Sequence, residues 1–123
     1  MKYFLLSFIF IFSIILARAQ TSQVNSLPSG TYETVVKSNQ NKWERGDIVL
    51  MDNNKYKVTS SPEVGSYRFS VTAQRVFFTS GPLKSVYAKT SLNKDTPTII
   101  LPVSENQQLG QNLPSDVCGY YRK

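Results

Sequence analysis

The chain has 123 residues, and its 14 basic and 8 acidic side chains give it a formal net charge of +6 at pH 7. This length fits one domain with its own core, and the basic residues are scattered without a run, which predicts a solvated surface and no nucleic-acid partner. Histidine is absent and cysteine occurs once, which excludes Ser–His and Cys–His nucleophile pairs and the common zinc sites.

Residues 1–19 have the layout of a secretory signal peptide. Lys2 gives a positive start, Phe4–Leu16 is almost wholly apolar, and Ala17–Ala19 places small residues at the positions that a signal peptidase inspects. We expect a signal helix that is cleaved after Ala19, and a protein that is exported to the periplasm or to the cell exterior. The alternative is a membrane anchor, but the apolar stretch is shorter than the ~20 residues that span a bilayer comfortably. We therefore expect no stable membrane insertion after cleavage.

Residues 20–29 are polar and contain serine, asparagine and proline, which is typical of a flexible N-terminal arm. Residues 30–123 are predicted to form a single β domain, because short apolar or alternating segments follow one another at close, regular spacing. The predicted strands are, in chain order, 32–37, 47–51, 55–59, 66–71, 75–79, 84–90, 96–103 and 117–122.

The connections between these segments carry turn residues and show no convincing helical period. Asp52–Asn54 predicts a turn because Asp and Asn tolerate left-handed backbone angles. Thr72–Gln74 and Asn93–Asp95 also predict short turns, and the polar segment Ser104–Pro114 is predicted to be a loop.

This pattern predicts an all-β fold of about eight strands. Repeated hairpins with short turns favour an antiparallel meander, and closure into a small barrel of lipocalin-like build would remove the exposed strand edges. A two-sheet β-sandwich is the alternative.

The stretch FTSGPL, residues 78–83, allows two interpretations. Pro82 suits the second position of a tight turn, which predicts a hairpin corner formed by Ser80, Gly81 and Pro82. The alternative is a backbone cradle for an anion, which needs successive free N–H groups, often at the start of a helix. Proline has no N–H and no helix is predicted to follow, so the corner is favoured.

Five short motifs follow one another along the strands. They are G-x-Y at Gly30–Tyr32, G-D-I-x-L at Gly46–Leu50, K-Y-K at Lys55–Lys57, G-x-Y-x-F at Gly65–Phe69 and V-F-F-x-S-G-P-L at Val76–Leu83. In this order they resemble a group of small exported β-barrel proteins that has no established activity. The resemblance spans Gly30 to Leu101. Members often carry a cysteine just after the first motif and another near the end, whereas here Glu33 and Thr34 follow the first motif and leave Cys118 alone.

Aromatic side chains are the main binding resource of the chain. Alternation places Tyr56, Tyr67, Phe69 and Phe78 on inward faces, and Trp43 lies near a loop. Tyrosine-rich interiors suit apolar or sugar-like ligands, although the same side chains can simply fill the core of a small barrel. We expect an exported binding module, and the leading hypothesis is a carrier of a small apolar or amphipathic ligand that uses these five residues.

Two other functions stay open. An exported protein–protein interaction module would make its contacts through the loops at Ser38–Lys42 and Ser104–Pro114. A carboxylate-based hydrolase of surface polymers would use Asp47 and Glu33. No pattern predicts a metal, a cofactor or another catalytic group, and Cys118 is expected to be buried or to pair with another chain. We therefore expect the protein not to be an enzyme.

Overall fold

The computed structural model describes residues 23–123, so the predicted signal peptide lies outside the described residues. Eight antiparallel strands form one closed barrel, in which each strand pairs with its sequence neighbours and the last pairs with the first. The prediction of an all-β meander barrel is confirmed, and the sandwich alternative is wrong. The strands are β1 Gly30–Val36, β2 Ile48–Met51, β3 Lys55–Val58, β4 Gly65–Ser70, β5 Arg75–Phe78, β6 Tyr87–Asn93, β7 Thr96–Leu101 and β8 Val117–Arg122.

Alternation along the strands determines which residues fill the barrel. In β1, for example, Tyr32, Thr34 and Val36 are buried while the residues between them are partly exposed. The register places Tyr32 opposite both Ile48 and Tyr121, so inward residues of neighbouring strands meet each other. An eight-stranded barrel is just wide enough to be filled by side chains. The inward core includes Tyr32, Ile48, Leu50, Tyr56, Val58, Tyr67, Val76, Phe78, Ala88, Ile99, Leu101 and Val117.

The turn predicted at Asp52–Asn54 is confirmed. These residues form a single 3₁₀ turn between β2 and β3, and Asn53 and Asn54 have φ values of 63° and 59°. Asparagine adopts this left-handed region more readily than most residues, since its short side chain can hydrogen-bond locally.

The prediction of a loop over residues 104–114 is wrong for the first part of this segment, because Val103–Gln108 form a short helix, α1. The strand predicted to run to Val103 is also too long, since β7 ends at Leu101. The only buried residue of α1 is Asn106, so the helix has no apolar period that the sequence could display. Asn106 fixes it instead: its Oδ1 accepts the Tyr87 N–H at 2.7 Å, and its Nδ2 donates to the Tyr87 and Pro102 carbonyls at 3.0 and 2.8 Å.

The strand predicted over residues 84–90 begins three positions too early. Lys84–Val86 belong to the corner after β5, where the Lys84 N–H donates to the Gly81 carbonyl and the Val86 N–H donates to the Leu83 carbonyl. Ser85 has a φ of 70°, which no strand residue adopts. Because the chain turns here, the Leu83 side chain is fully buried at the end of the barrel.

One end of the barrel is covered by the described part of the N-terminal arm, residues 23–29. Val24 is 2% exposed, its N–H donates to Gln74 Oε1 at 2.9 Å, and Gln74 Nε2 donates back to the Val24 carbonyl at 2.8 Å. Leu27 packs against the core, and the Tyr32 hydroxyl donates to the Pro28 carbonyl at 2.8 Å. The segment predicted to be a flexible arm therefore lies across the mouth of the barrel.

The opposite end is covered by three connections. The corner between β5 and β6 inserts Leu83, the β1–β2 connection inserts Trp43, and α1 lies between β7 and β8. Arg45 Nη1 donates to the Pro82 carbonyl at 3.2 Å and so ties two of these connections together. Both mouths of the barrel are thus closed by the chain itself.

The Asn106 contacts predict a large effect of its removal on stability. In Asn106→Ala, the partly buried Tyr87 N–H loses its acceptor and two carbonyls lose a donor, so we expect the free energy of unfolding to fall by about 2–4 kcal/mol. Chemical denaturation measures this change. Gln107→Ala is the matched control, because Gln107 is exposed on the same helix. Equal stability of the two variants would contradict this role of Asn106.

Candidate functional site

The aromatic residues predicted to bind a ligand do come together inside the barrel. Tyr56, Tyr67 and Phe78 are buried, and the rings of Tyr56 and Phe78 lie 4.7 Å apart between centroids. Phe69 is partly buried against the same core. Trp43 is 3% exposed and its Nε1 has no hydrogen-bond partner among the described residues. Four of the five candidates are therefore enclosed by neighbouring side chains rather than presented to solvent.

The hydroxyl of Tyr56 anchors the corner that contains Ser80, Gly81 and Pro82. It donates to the Ser80 carbonyl at 2.7 Å and accepts the Leu83 N–H at 2.8 Å. Burial raises the pKa of Tyr56, so the phenol stays protonated and can donate at neutral pH. The stretch FTSGPL forms a corner between two strands, and its backbone is bonded to the barrel core.

Glycine is required where this corner touches β4. Gly81 has a φ of +90°, and a Cβ atom there would lie 2.5 Å from the Cα of Gly65. A Cβ on Gly65 would in turn collide with the Ser80 carbonyl oxygen and the Tyr56 ring. The two glycines allow the corner to approach closely enough for the Tyr56 hydroxyl to reach it.

Tyr32 has the same role at the opposite end. Its hydroxyl donates to the Pro28 carbonyl in the arm, and burial raises its pKa far above the usual value, with the phenols of Tyr67 and Tyr121 adding to the shift. Burial also raises the pKa of Tyr67. The interior tyrosines are therefore neutral, and two of them direct their hydroxyls at the segments that close the barrel.

The two carboxylates proposed for hydrolysis are each engaged with a different cation. Asp47 Oδ1 accepts the Thr34 N–H at 3.0 Å and its Oδ2 lies 3.4 Å from Lys42 Nζ. Glu33 points outward from β1 and forms an ion pair with Arg122 at 2.6 Å. Over residues 23–123, no group of three or more His, Cys, Asp or Glu side chains could hold a metal ion.

Cys118 faces outward on β8 but is only 5% exposed, and it is a free thiol in the described chain. The register places it between Val35 and Ile100. Burial raises the pKa of the Cys118 thiol, although a hydrogen bond with Tyr120 and the charge of Lys37 act in the opposite direction. A protonated, covered thiol is a poor nucleophile.

The outer surface of β3–β6 carries the largest group of unassigned side chains. Since Tyr67, Val76, Phe78 and Ala88 point inward, the residues that alternate with them point outward. We call the large side chains of this outward set the basic wall, which consists of Lys55, Lys57, Arg68, Arg75, Phe77, Tyr87 and Lys89; Ser66, Ser70, Ser91 and Asn93 face outward beside them. Five of these seven side chains are cationic, and strands β3–β6 contain no Asp or Glu.

Arg75, the first residue of β5, lies in the basic wall against two aromatic rings. Its Cζ is 3.9 Å from the ring centroid of Tyr87 and 4.6 Å from that of Phe77. Phe77 and Tyr87 are register partners, and Arg75 is the register partner of Lys89. Cation–π contacts of this kind hold the guanidinium in place. Arg75 Nε is covered and has no hydrogen-bond partner within residues 23–123.

The basic wall is not visible in the sequence, because its cations are far apart along the chain. Arg68 and Phe77 are register partners across β4 and β5, and Arg75 and Lys89 are partners across β5 and β6. The alternation of inward and outward residues could be recognised in each strand, and together with hairpin pairing it would have placed these side chains on one face. The scattered cations form one basic surface only when the strands are aligned in their register.

Two clefts lie elsewhere on the described surface. One, of about 330 Å³, is at the end covered by the arm and is lined by Pro28, Lys94, Asp95, Thr96, Pro97, Tyr121 and Lys123. The other, of about 300 Å³, is at the opposite end and is lined by Lys37, Ser38, Val103, Ser115 and Asp116. Neither cleft contains a residue that was predicted to bind a ligand.

Comparison with known proteins yields no match: no family model, no curated protein and no solved structure is significantly similar to this chain. The structure itself defines the fold class, which is a closed, eight-stranded antiparallel β-barrel. Within the part of the chain that is described, no helix has the length and apolarity needed to cross a membrane.

The Tyr56 geometry predicts a specific cost of removing one oxygen atom. Tyr56→Phe keeps the ring but leaves the buried Leu83 N–H without an acceptor, so we expect a loss of about 1–3 kcal/mol in the free energy of unfolding. Tyr87→Phe is the control, because no hydrogen bond of the Tyr87 hydroxyl is formed in the described chain, and it should change stability by less than about 0.5 kcal/mol. Denaturant titration of both variants decides the matter, and equal losses would refute the anchoring role.

Proposed function

We propose that this protein is an exported binding module that recognises a partner protein through the basic wall. Export rests on the signal-peptide pattern of residues 1–19. Recognition by the outer surface is supported most directly by one observation: Phe77, a large apolar side chain, is 38% exposed beside a stacked arginine in a wall of cations.

The packing of the interior favours recognition on the outside over a lipocalin-like carrier. A carrier needs a cavity of several hundred cubic ångströms for its ligand. Here Tyr56 is 0% exposed and the Tyr56 and Phe78 rings are in contact. The arm covers one mouth of the barrel, and Leu83 and Trp43 fill the other. Among the described residues, the side chains that would line a ligand cavity contact one another instead.

The surroundings of the carboxylates give no support to a hydrolase. A glycosidase needs two carboxyl groups facing each other across a substrate. Asp47 is bonded to backbone and lies beside Lys42, while Glu33 is paired with Arg122 on the outer surface. We therefore propose binding without catalysis.

The basic wall contains side chains of the types that anchor protein interfaces. Arg, Phe and Tyr, represented here by Arg75, Phe77 and Tyr87, are enriched in interfaces, and Arg and Tyr are frequent hot spots. Because the barrel is closed, every strand of the wall already has two partners, so a partner cannot add a strand to it and must contact side chains. The loops at 38–42 and 104–114, predicted from the sequence to make contacts, lie at one end of the barrel, and Asn106 of the second one is hydrogen-bonded to the backbone of the wall residue Tyr87.

Site-specific photocrosslinking in the host tests this proposal. A photoreactive amino acid at Ser91, which lies two residues beyond Lys89 on β6, leaves all wall side chains intact. The control position is Val35, which is also outward and partly exposed but lies on β1. We expect one adduct of defined mass from position 91 and none from position 35.

The same experiment with Phe77→Asp identifies the contact surface. Burial of a charge in the interface should reduce the adduct by about tenfold or more, whereas Val64→Asp, at an exposed position outside the wall, should leave it unchanged. Equal adducts at positions 91 and 35, or an adduct that persists in Phe77→Asp, would rule out the wall as the recognition surface.

A further inference from the structure

We propose that the basic wall recognises an acidic segment of the partner protein, and that Arg75 receives one carboxylate of that segment through two parallel hydrogen bonds. This inference rests on the proposed function, since it names the chemistry of the partner at the same surface.

The charge of the wall points to an acidic partner. Its five cations are Lys55, Lys57, Arg68, Arg75 and Lys89. The ion pairs of the described residues are Lys42–Asp47 and Arg122–Glu33, and neither involves the wall. Arg75 and Lys89 lie directly opposite each other, and like charges in this position repel. A negatively charged surface placed over the wall removes this repulsion and gains attraction.

The environment of Arg75 prepares it for a carboxylate in particular. Tyr87 and Phe77 contact its guanidinium, so little rotamer freedom is left to lose on binding. The group has five N–H donors in a planar fork that matches a carboxylate. Arg75 Nε is covered by the protein, so the two parallel hydrogen bonds to the carboxylate are assigned to the Nη1 and Nη2 atoms. A carboxylate in the plane of the fork would provide charge-assisted acceptors to a group that is already oriented.

The aromatic side chains favour a protein segment over an anionic polysaccharide. Sugar rings bind by stacking on an open aromatic face. Here the guanidinium of Arg75 lies over a face of both Phe77 and Tyr87. The exposed remainder of Phe77 suits an apolar side chain next to the carboxylate.

The position of Phe77 also argues against an anionic membrane as the partner. Interfacial membrane binding places apolar groups about 5–10 Å into the headgroup boundary. Phe77 is 38% exposed in the middle of a barrel wall, between Arg68 and Tyr87 in the register, and does not reach that far. An acidic protein segment is therefore the partner that fits this surface.

Two synthetic peptides provide the test with the mature full-length protein. One repeats Glu-Ser-Tyr-Ser, and the other replaces every Glu by Gln. At low ionic strength we expect the Glu peptide to bind about tenfold or more tightly than the Gln peptide, and its affinity to fall steeply with added salt. Fluorescence anisotropy measures both, and NMR amide shifts should be confined to β3–β6.

The Arg75→Lys variant distinguishes the contribution of the planar guanidinium group to binding from that of its positive charge. This variant keeps the cation but loses the planar fork, so we expect about five- to tenfold weaker binding of the Glu peptide. Lys123→Gln removes an exposed cation elsewhere and should weaken binding less than about twofold. If Arg75→Lys does not fold, Arg68→Lys and Lys89→Gln, at exposed wall positions, are used in its place. The acidic contact is then supported if Lys89→Gln weakens binding of the Glu peptide more than Lys123→Gln does.

Several outcomes overturn the inference. Equal binding of the Glu and Gln peptides would do so, as would unchanged affinity in Arg75→Lys. Tighter binding of polygalacturonate or of phosphatidylglycerol vesicles than of the Glu peptide would replace the acidic protein segment by a polysaccharide or a membrane. If position 91 still crosslinks to a protein while the Glu peptide fails, the proposed function stands and only this inference falls. If the peptide binds as expected and no adduct forms in the host, the proposed function falls instead.

Discussion

The need of buried tyrosine hydroxyls for hydrogen-bond partners is the constraint on which this barrel depends. Tyr32 and Tyr56 have fully buried side chains, and their hydroxyls find acceptors only in the segments that cover the two ends. An unpaired buried hydroxyl is costly, so the arm and the corner are bound to the same core that the strands form. The same two tyrosine side chains, Tyr32 and Tyr56, therefore both pack in the interior and hold the covering segments at the two ends.

The proposed function rests on the outer surface of the barrel. A closed barrel has no free strand edge, and in its interior the buried rings of Tyr56 and Phe78 contact each other. Period-two alternation places Phe78 inside and Phe77 outside on the same short strand. The residues that are not needed for the core are then free to form the basic wall, in which Arg75 is oriented by the two aromatic side chains beside it.

Most strands of the fold were predictable, because alternation is a local signal. Tyr56 and Val58 on β3, or Tyr67 on β4, identify their inward faces without any knowledge of their neighbours. The helix α1 was not predictable from periodicity, since Asn106 is its only buried residue and is fixed by contacts with Tyr87. The early end of β7 and the late start of β6 likewise depend on packing at the barrel end, where Leu83 is inserted.

The candidate site was predictable only in part, and for the same physical reason. Inward placement of Tyr56, Tyr67 and Phe78 followed from the pattern, but whether they would line a cavity depends on the covering segments. The contact between Val24 and Gln74 joins residues that are 50 positions apart. The basic wall required the register of four strands, which no single segment encodes. The filling of the interior and the composition of the basic wall thus depend on contacts between residues far apart in the chain, which local sequence patterns do not show.

Xenon binding followed by NMR tests the central claim that the interior is filled. Xenon enters apolar cavities that water leaves empty, and saturable shifts of nearby methyl groups report its binding. The filled barrel predicts that inward methyl groups of Val76 and Ile99 shift only slightly and linearly with xenon pressure, as the outward methyl groups of Val49 do. Saturable shifts of Val76 and Ile99 that leave Val49 unaffected would show an internal cavity and would contradict this account.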